Sequence, residues 1–249
     1  MNHQRIFLLL FILLTTNFNS LIPLRVVSYN INTEIEWNIK KDQICKLLKE
    51  LNADIICLQE ASEAKHVQEL AKKLNMFWDK KTWHIGGMTV LSKTKILQSI
   101  IIDIPDSYFN SVIAIKIKPN IWIASIHLWS EEYKIDDTER VRELKFIVDK
   151  LHKLKANKII IAGDFNSLDT TKVSQLLDEH GYIDTHKNKA WTKSTWMPTK
   201  DIERIDRIHF KGEFKITHGK VIDHNDIQWL KPLGWPTGND HRLVLTDLS

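Results

Sequence analysis

Short apolar runs, each closed by a polar residue, recur along this chain, with helix-spaced apolar stripes between them. LRVVSYNI (24–31) is apolar until it reaches Asn30 and Asn32, and the pattern predicts a first strand. Over 36–51, Trp37, Ile44, Leu48 and Leu51 share one helical stripe, and Asn52 suits a left-handed cap. Residues 53–58 predict a second strand ending at Gln59-Glu60, followed by an amphipathic helix with Val67, Leu70, Ala71 and Leu74 inward. Further strands are predicted around 82–91, 96–104, 112–117 and 121–128, punctuated by Gly86-Gly87, Pro105 and Pro119. The last of these ends on His127. Asp136 and Glu139 predict a capping box for a long helix whose buried face is Val141, Leu144, Ile147, Val148, Leu151 and Leu154. That helix feeds KIIIAGDFNSL (158–168), an apolar run that breaks at Gly163 and presents Asp164 and Asn166. A helix near 171–179 and strands near 190–196, 205–210, 214–221 and 242–246 complete the pattern.

The order β, α, β, α, a block of strands, then α, β, α and a second block of strands makes two comparable halves. Two sheets packed face to face with helices outside accommodate it, in one domain over 21–249. A hydrophobic share of 43% and a charged share of 27% exclude a disordered chain. The net charge of +4 is a mild bias, compatible with a polyanionic substrate without identifying one. At the N-terminus, Arg5 precedes the apolar run Ile6 to Leu14 and a polar stretch from Thr15 to Ser20. This predicts a signal peptide over 1–20, too short to span a bilayer, with export and a mature start near Leu21. No cysteine lies near that junction to take a lipid. Cys45 falls in the first helix and Cys57 in the second strand; both positions look packed, although export would permit a bridge.

Polar clusters at strand ends are the candidate chemistry: Asn30, Gln59-Glu60, His127, Asp164 with Asn166, and Asn239-Asp240-His241. A further one, RIDRI (204–208), sets Asp206 between isoleucines. Each alone has an ordinary explanation, such as a turn, a solvated acid, a core histidine or a pairing of Asp206 with Arg204 or Arg207. Together they place amides, carboxylates and imidazoles on rigid strand termini, where catalysis needs them. Asp164 can orient or deprotonate a water, and Asn166 can donate an amide hydrogen to a phosphate oxygen.

The stretches SYNIN (28–32), ICLQEA (56–61), SIHLWS (125–130), AGDFNS (162–167), RIDRIHF (204–210) and GNDHRLV (238–244) resemble, in order, those of the endonuclease/exonuclease/phosphatase superfamily. The resemblance spans almost the whole chain after the leader. It implies an α/β (α+β) four-layer sandwich of two packed mixed sheets flanked by helices, with the site at one end of both sheets. It further implies a metal held by Glu60 with Asn30 beside it and Asp240 as a second candidate, with Mg²⁺ or Mn²⁺ suited to such oxygen donors. Under the same resemblance Asp164 activates water jointly with His241, Asn166 holds a phosphate oxygen, His127 donates to the phosphate, and Asp206 fixes the His241 tautomer. Two departures stand out. Asn239 occupies a position that is usually Ser, and Ile85-Gly86-Gly87-Met88 offers no acid to partner His127.

The implied activity is hydrolysis of a phosphoester by in-line attack of water. The favoured form is a secreted, monomeric nuclease, with Trp191, Trp196, Trp229 and Trp235 available to stack on bases. A sphingomyelinase-type enzyme acting on lipid at a membrane surface, a sugar or inositol phosphatase, and a non-catalytic binding module are the alternatives in descending order. The binding module is disfavoured because every expected polar residue is present.

Overall fold

Strands that alternate between two apolar surfaces need a layer on each side, and this chain supplies both. The computed structural model describes residues 23–249 except 35, 84–85, 108–110, 119–120, 131–135, 191–192, 198–202 and 237–238. The predicted leader and its cleavage point lie outside the described residues. The strands are β1 (Leu24–Asn30), β2 (Ile55–Gln59), β3 (Thr89–Ser92), β4 (Gln98–Asp103), β5 (Ser111–Lys118), β6 (Ile121–His127), β7 (Lys158–Asp164), β8 (Ile183–Asp184), β9 (Asp206–Lys211), β10 (Ile216–Ile222) and β11 (Leu243–Leu248). The helices are α1 (Trp37–Leu51), α2 (Ala64–Leu74), α3 (Thr138–His152) and α4 (Lys172–Glu179). One sheet runs β10-β11-β1-β2-β3 and the other β4-β5-β6-β7-β9-β8. Both are mixed, because β1 pairs parallel with β2 and β6 parallel with β7 while their other neighbours are antiparallel.

Three hydrophobic clusters separate the four layers. Val27, Tyr29, Ile56 and Leu58 pack outward under α1 and α2. Trp122, Ala124, Ile159 and Ile161 pack outward under α3 and α4. Between the sheets lie Val26, Ile55, Cys57, Ile123, Ile160, Ala162, Ile208 and Val244. Adjacent residues of one strand thus enter different clusters, the period-2 rule working with both faces covered. Truncating Ile160 to alanine in the inter-sheet cluster is expected to cost about 2–5 kcal/mol. Gly163 is required by proximity: a Cβ there would lie 2.0 Å from the Ile126 carbonyl oxygen, so a side chain would force β6 and β7 apart.

Most predicted elements form, including the Asn52 cap at φ 50°. Of the strand predicted over 82–91, residues 84–85 lie outside the described residues, and the rest includes the end of a 3₁₀ turn at Lys80–Thr82 and the short β3. The Asp79 carboxylate accepts from the Lys81 N–H and the Thr82 hydroxyl donates to the Asp79 carbonyl, so local side-chain bonds win over the ladder. The capping box does not form. Asp136 accepts from the N–H and hydroxyl of Thr138, Glu139 is taken by Arg142, and the cap position is Asp137. Leu154 lies beyond the end of α3 and is only partly buried. Of the strand predicted over 190–196, residues 191–192 lie outside the described residues, and Trp196 makes only an isolated bridge to His241. Cys45 and Cys57 are buried free thiols, and burial raises the pKa of both. Among the described residues, no helix is long and apolar enough to cross a membrane.

Candidate active site

Parity decides which side chains reach the seam between the sheets. Counting by two from Val26 along β1 arrives at Asn30; from Ile160 along β7, at Asp164; from Ile123 along β6, at His127; and from Phe210 back along β9, at Asp206. The register places Asn30 opposite Gln59, His127 opposite Asp164, and Asp164 opposite Asp206, so all five strand ends coincide. Gln59 already faces the seam, donating to the Ser125 hydroxyl of the other sheet at 3.1 Å. A continuing strand would therefore turn Glu60 away. Its left-handed φ of 53° turns it back, at a strain of about 1–2 kcal/mol. Gly87 allows this bend: a Cβ there would lie 2.8 Å from the Ala61 nitrogen, and its carbonyl accepts from the Ala61 N–H.

The side chains converge on Asp164. Asn30 Nδ2 donates to Glu60 Oε1 at 2.7 Å and to Asp164 Oδ2 at 3.2 Å, joining the two sheets through one amide. Asp164 Oδ1 accepts from the Asn166 N–H at 2.8 Å. His127 Nε2 lies 3.8 Å from Asp164 Oδ2 and 3.9 Å from Glu60 Oε1, and His241 Nε2 lies 3.7 Å from the same Asp164 oxygen. His241 Nδ1 is 2.9 Å from Asp206 Oδ2. Two overlapping groups could hold an ion, Glu60–His127–Asp164 and Asp164–Asp206–His241. The first offers hard carboxylate oxygens at a partly open position and fits a divalent cation; the second is already committed to an internal ion pair.

Buried acids set the state of His241. Burial lowers the His241 pKa, but the charges of Asp206 and Asp164 and the Asp206 hydrogen bond outweigh it and raise it well above the ordinary value. Burial raises the Asp206 pKa, and His241 opposes the rise. The pair therefore holds its proton on the imidazole at neutral pH. Asp206 is itself held by the Thr195 hydroxyl, which accepts from the N–H groups of Ile205 and Asp206 at 3.1 and 3.0 Å.

The structure gives the other expected residues these surroundings. Asn30 turns its amide nitrogen to the carboxylates, while its Oδ1 accepts from the Asn32 N–H at 3.2 Å, so in this arrangement it clamps Glu60 and Asp164. Asp240 stands outside both ion-competent groups, with a side chain 45% exposed and 3.9 Å from His241 Nε2. Asn166 gives one amide hydrogen to the Leu128 carbonyl at 2.9 Å, leaving the other for a ligand. Asp206 pairs with neither arginine: Arg204 binds Asp169 and Asp184, and Arg207 faces the outer layer against Phe165 and Ser174. Asn239 preserves its turn by accepting from the His241 N–H while donating to the Asn30 carbonyl. Of the tryptophans, Trp229 is held by Glu50 and Lys46, and Trp235 by the His241 carbonyl. Trp196 adjoins the site through Asp240 at 3.4 Å, and Trp191 lies outside the described residues. Ser125, Thr195 and Lys40 also support the site, and no apolar-to-polar break in the sequence marks them. Of the supporting residues, only Gln59 carried a sequence signal, in the Gln59-Glu60 pair.

Paired carboxylates, a clamping amide and two imidazoles at the shared end of two packed sheets define a phosphoester hydrolase. The chain belongs to the Endonuclease/Exonuclease/phosphatase family, whose model matches residues 27–244. No curated protein sequence matches it. Among solved structures, an endonuclease/exonuclease/phosphatase from Bacteroides vulgatus is 18% identical, covering 91% of this chain and 98% of that one at a TM-score of 0.69. D. rerio TDP2 complexed with single-strand DNA product is 19% identical, with coverages of 91% and 98% and a TM-score of 0.69. A functionally unknown conserved protein from Enterococcus faecalis V583 is 17% identical, with coverages of 90% and 99% and a TM-score of 0.70. At these identities the likeness is one of fold. Enzymes of the family depend on a divalent metal, and the group Glu60–His127–Asp164 could hold one.

Proposed function

We propose that the protein is an exported Mg²⁺- or Mn²⁺-dependent phosphodiesterase acting on nucleic acid, preferentially single-stranded. The observation that carries the chemistry is the Asn30 amide, which holds Glu60 and Asp164 from opposite sheets beside the Asp206–His241 pair. Glu60 would hold the cation, leaving Asp164 and His127 beside it free for the water and the phosphate. When bound, the ion polarises the phosphoryl oxygens and offsets developing charge. Asp164 accepts the proton of the attacking water as its oxygen bonds to phosphorus and the opposite P–O ester bond breaks, the departing oxygen taking a proton from solvent. His241, kept protonated by Asp206, donates to a non-bridging phosphate oxygen rather than acting as a base. His127 donates from the opposite side, and the second amide hydrogen of Asn166 orients the phosphate.

The nucleic-acid substrate is supported by the net charge of +4 and by the single-strand DNA product bound to the similarly folded TDP2. Export is supported by the apolar run Ile6 to Leu14 behind Arg5. The test is a panel of single-stranded DNA, duplex DNA, RNA, sphingomyelin and phosphomonoesters, each with Mg²⁺ and with EDTA. Single-stranded DNA should be cleaved fastest and only with metal. Preferential turnover of sphingomyelin would overturn the substrate, and activity surviving exhaustive chelation would overturn the metal. Residues 1–24 fused to a reporter should carry it out of the cytoplasm; retention there would overturn export.

A further inference from the structure

Beneath the Glu60–Asp164 clamp runs a chain of hydrogen bonds that ends on a buried charge. Lys40 in α1 is fully buried, and its ammonium donates to the carbonyl oxygen of Asn32. Asn32 has a left-handed φ of 39° and sends its N–H back to Asn30 Oδ1 at 3.2 Å. A carboxamide has one acceptor end and one donor end. With the acceptor end occupied, Asn30 presents Nδ2 to Glu60 at 2.7 Å and Asp164 at 3.2 Å.

A charge is a poor choice at position 40 on stability grounds. Lys40 lies three residues after Trp37 and four before Ile44, both buried, so it occupies the apolar stripe of α1. A hydrophobic residue there would cover the same surface without desolvating an ammonium, and such replacements are often neutral or stabilising. Burial indeed lowers the Lys40 pKa, with Glu60 and Asp240 pulling the other way. What a hydrophobe would not supply is a donor to the Asn32 carbonyl.

We propose that Lys40 is a positioning residue of the active site: it holds Asn32 in the left-handed conformation that orients the Asn30 amide, and through that amide it sets Glu60 and Asp164. The proposal rests on the roles given above to these two carboxylates, and Lys40 itself makes no contact with substrate.

The test uses the purified chain with Mn²⁺ and bis(p-nitrophenyl) phosphate, which does not depend on the natural substrate, together with the NMR resonance of the Asn30 side-chain amide, identified by its loss in Asn30→Ala. Lys40→Met should move that resonance and lower kcat about 10- to 100-fold with little change in KM, the scale of a slightly misplaced catalytic group. Lys40→Arg retains a donor and should recover most of the loss. Because Lys40 acts through Asn30, adding Lys40→Met to Asn30→Ala should change kcat by less than about twofold. Asn32→Val, which disfavours the left-handed backbone, should reproduce the amide shift in a fold that leaves Lys40 intact. An unmoved amide resonance in both Lys40→Met and Asn32→Val overturns the proposal. So do effects of Lys40→Met and Asn30→Ala that multiply. If the wild type does not turn over the diester, the roles given to the carboxylates fail, while the amide resonance still decides whether Lys40 orients Asn30.

Discussion

Two corners of the site meet at Asp164 and differ in what they expose. In the corner of Asp206 and His241 the side chains are 0% and 8% exposed, joined at 2.9 Å, and their proton is committed. In the corner of Glu60 and His127 they are 33% and 17% exposed, and their closest approach is 3.9 Å, too long for a hydrogen bond. A closed corner can store a preorganised charge, because low solvent access strengthens its internal attraction. An open corner keeps coordination positions for an ion and for substrate. The same two residue types, a carboxylate and an imidazole, thus meet in different states of burial and spacing.

Removing the ion should produce the largest effect: EDTA is expected to abolish turnover, Mn²⁺ or Mg²⁺ to restore it, and Glu60→Gln to weaken both metal affinity and kcat, measured by titration and steady-state kinetics. Next comes the closed corner. His241→Ala and Asp206→Asn should each lower kcat by about 10³-fold or more, and the double variant should be little worse than either single one, since residues acting as a unit are non-additive. His127→Ala should cost about 10²- to 10³-fold, and its effect should multiply with that of Asp206→Asn. Coupling of Asp206 to His127 instead would erase the distinction between the corners.

A smaller effect concerns acid stability, and it belongs to the strand that carries the closed corner. On the outer face of β9 burial lowers the His209 pKa to about 3 from an ordinary 6.5, and burial lowers that of nearby His186 to about 4. Between those values and 6.5 the unfolded chain binds more protons than the folded one, so stability falls as pH drops through that window. Each histidine contributes a slope of up to about 1.4 kcal/mol per pH unit. His209→Phe, which keeps a ring against Phe165, should flatten the fall in Tm between pH 6.5 and pH 4 in a thermal melt series. An unchanged slope would show that His209 takes no proton on unfolding in that range.

The expected site residues lie together at one end of the sandwich, and the reason is visible in their positions. Asn30, His127 and Asp164 are the last residues of β1, β6 and β7, and Asp206 is the first of β9. A strand end is legible because an apolar run stops there. What hydrophobic pattern misses is local polar competition, as at Asp79–Thr82, and side chains whose partners are distant in sequence. Thr195 supports Asp206 across a separation of 11 residues, and Gln59 reaches Ser125 across 66.

From its sequence alone this chain was determined to be a layered α/β protein with amides, carboxylates and imidazoles on successive strand ends, because alternation, stripe spacing and turn residues are local properties that short-range sterics and burial enforce. Only the tertiary structure decided which end of the Asn30 amide faces Glu60, that Asp240 borders His241 from an exposed position, and that Asp206 takes His241 rather than an arginine. Those outcomes depend on φ values at Asn32 and Glu60 and on the packing of one sheet against the other. A hydrogen bond is directional over a few tenths of an ångström, and no pattern of residue types along the chain carries that geometry.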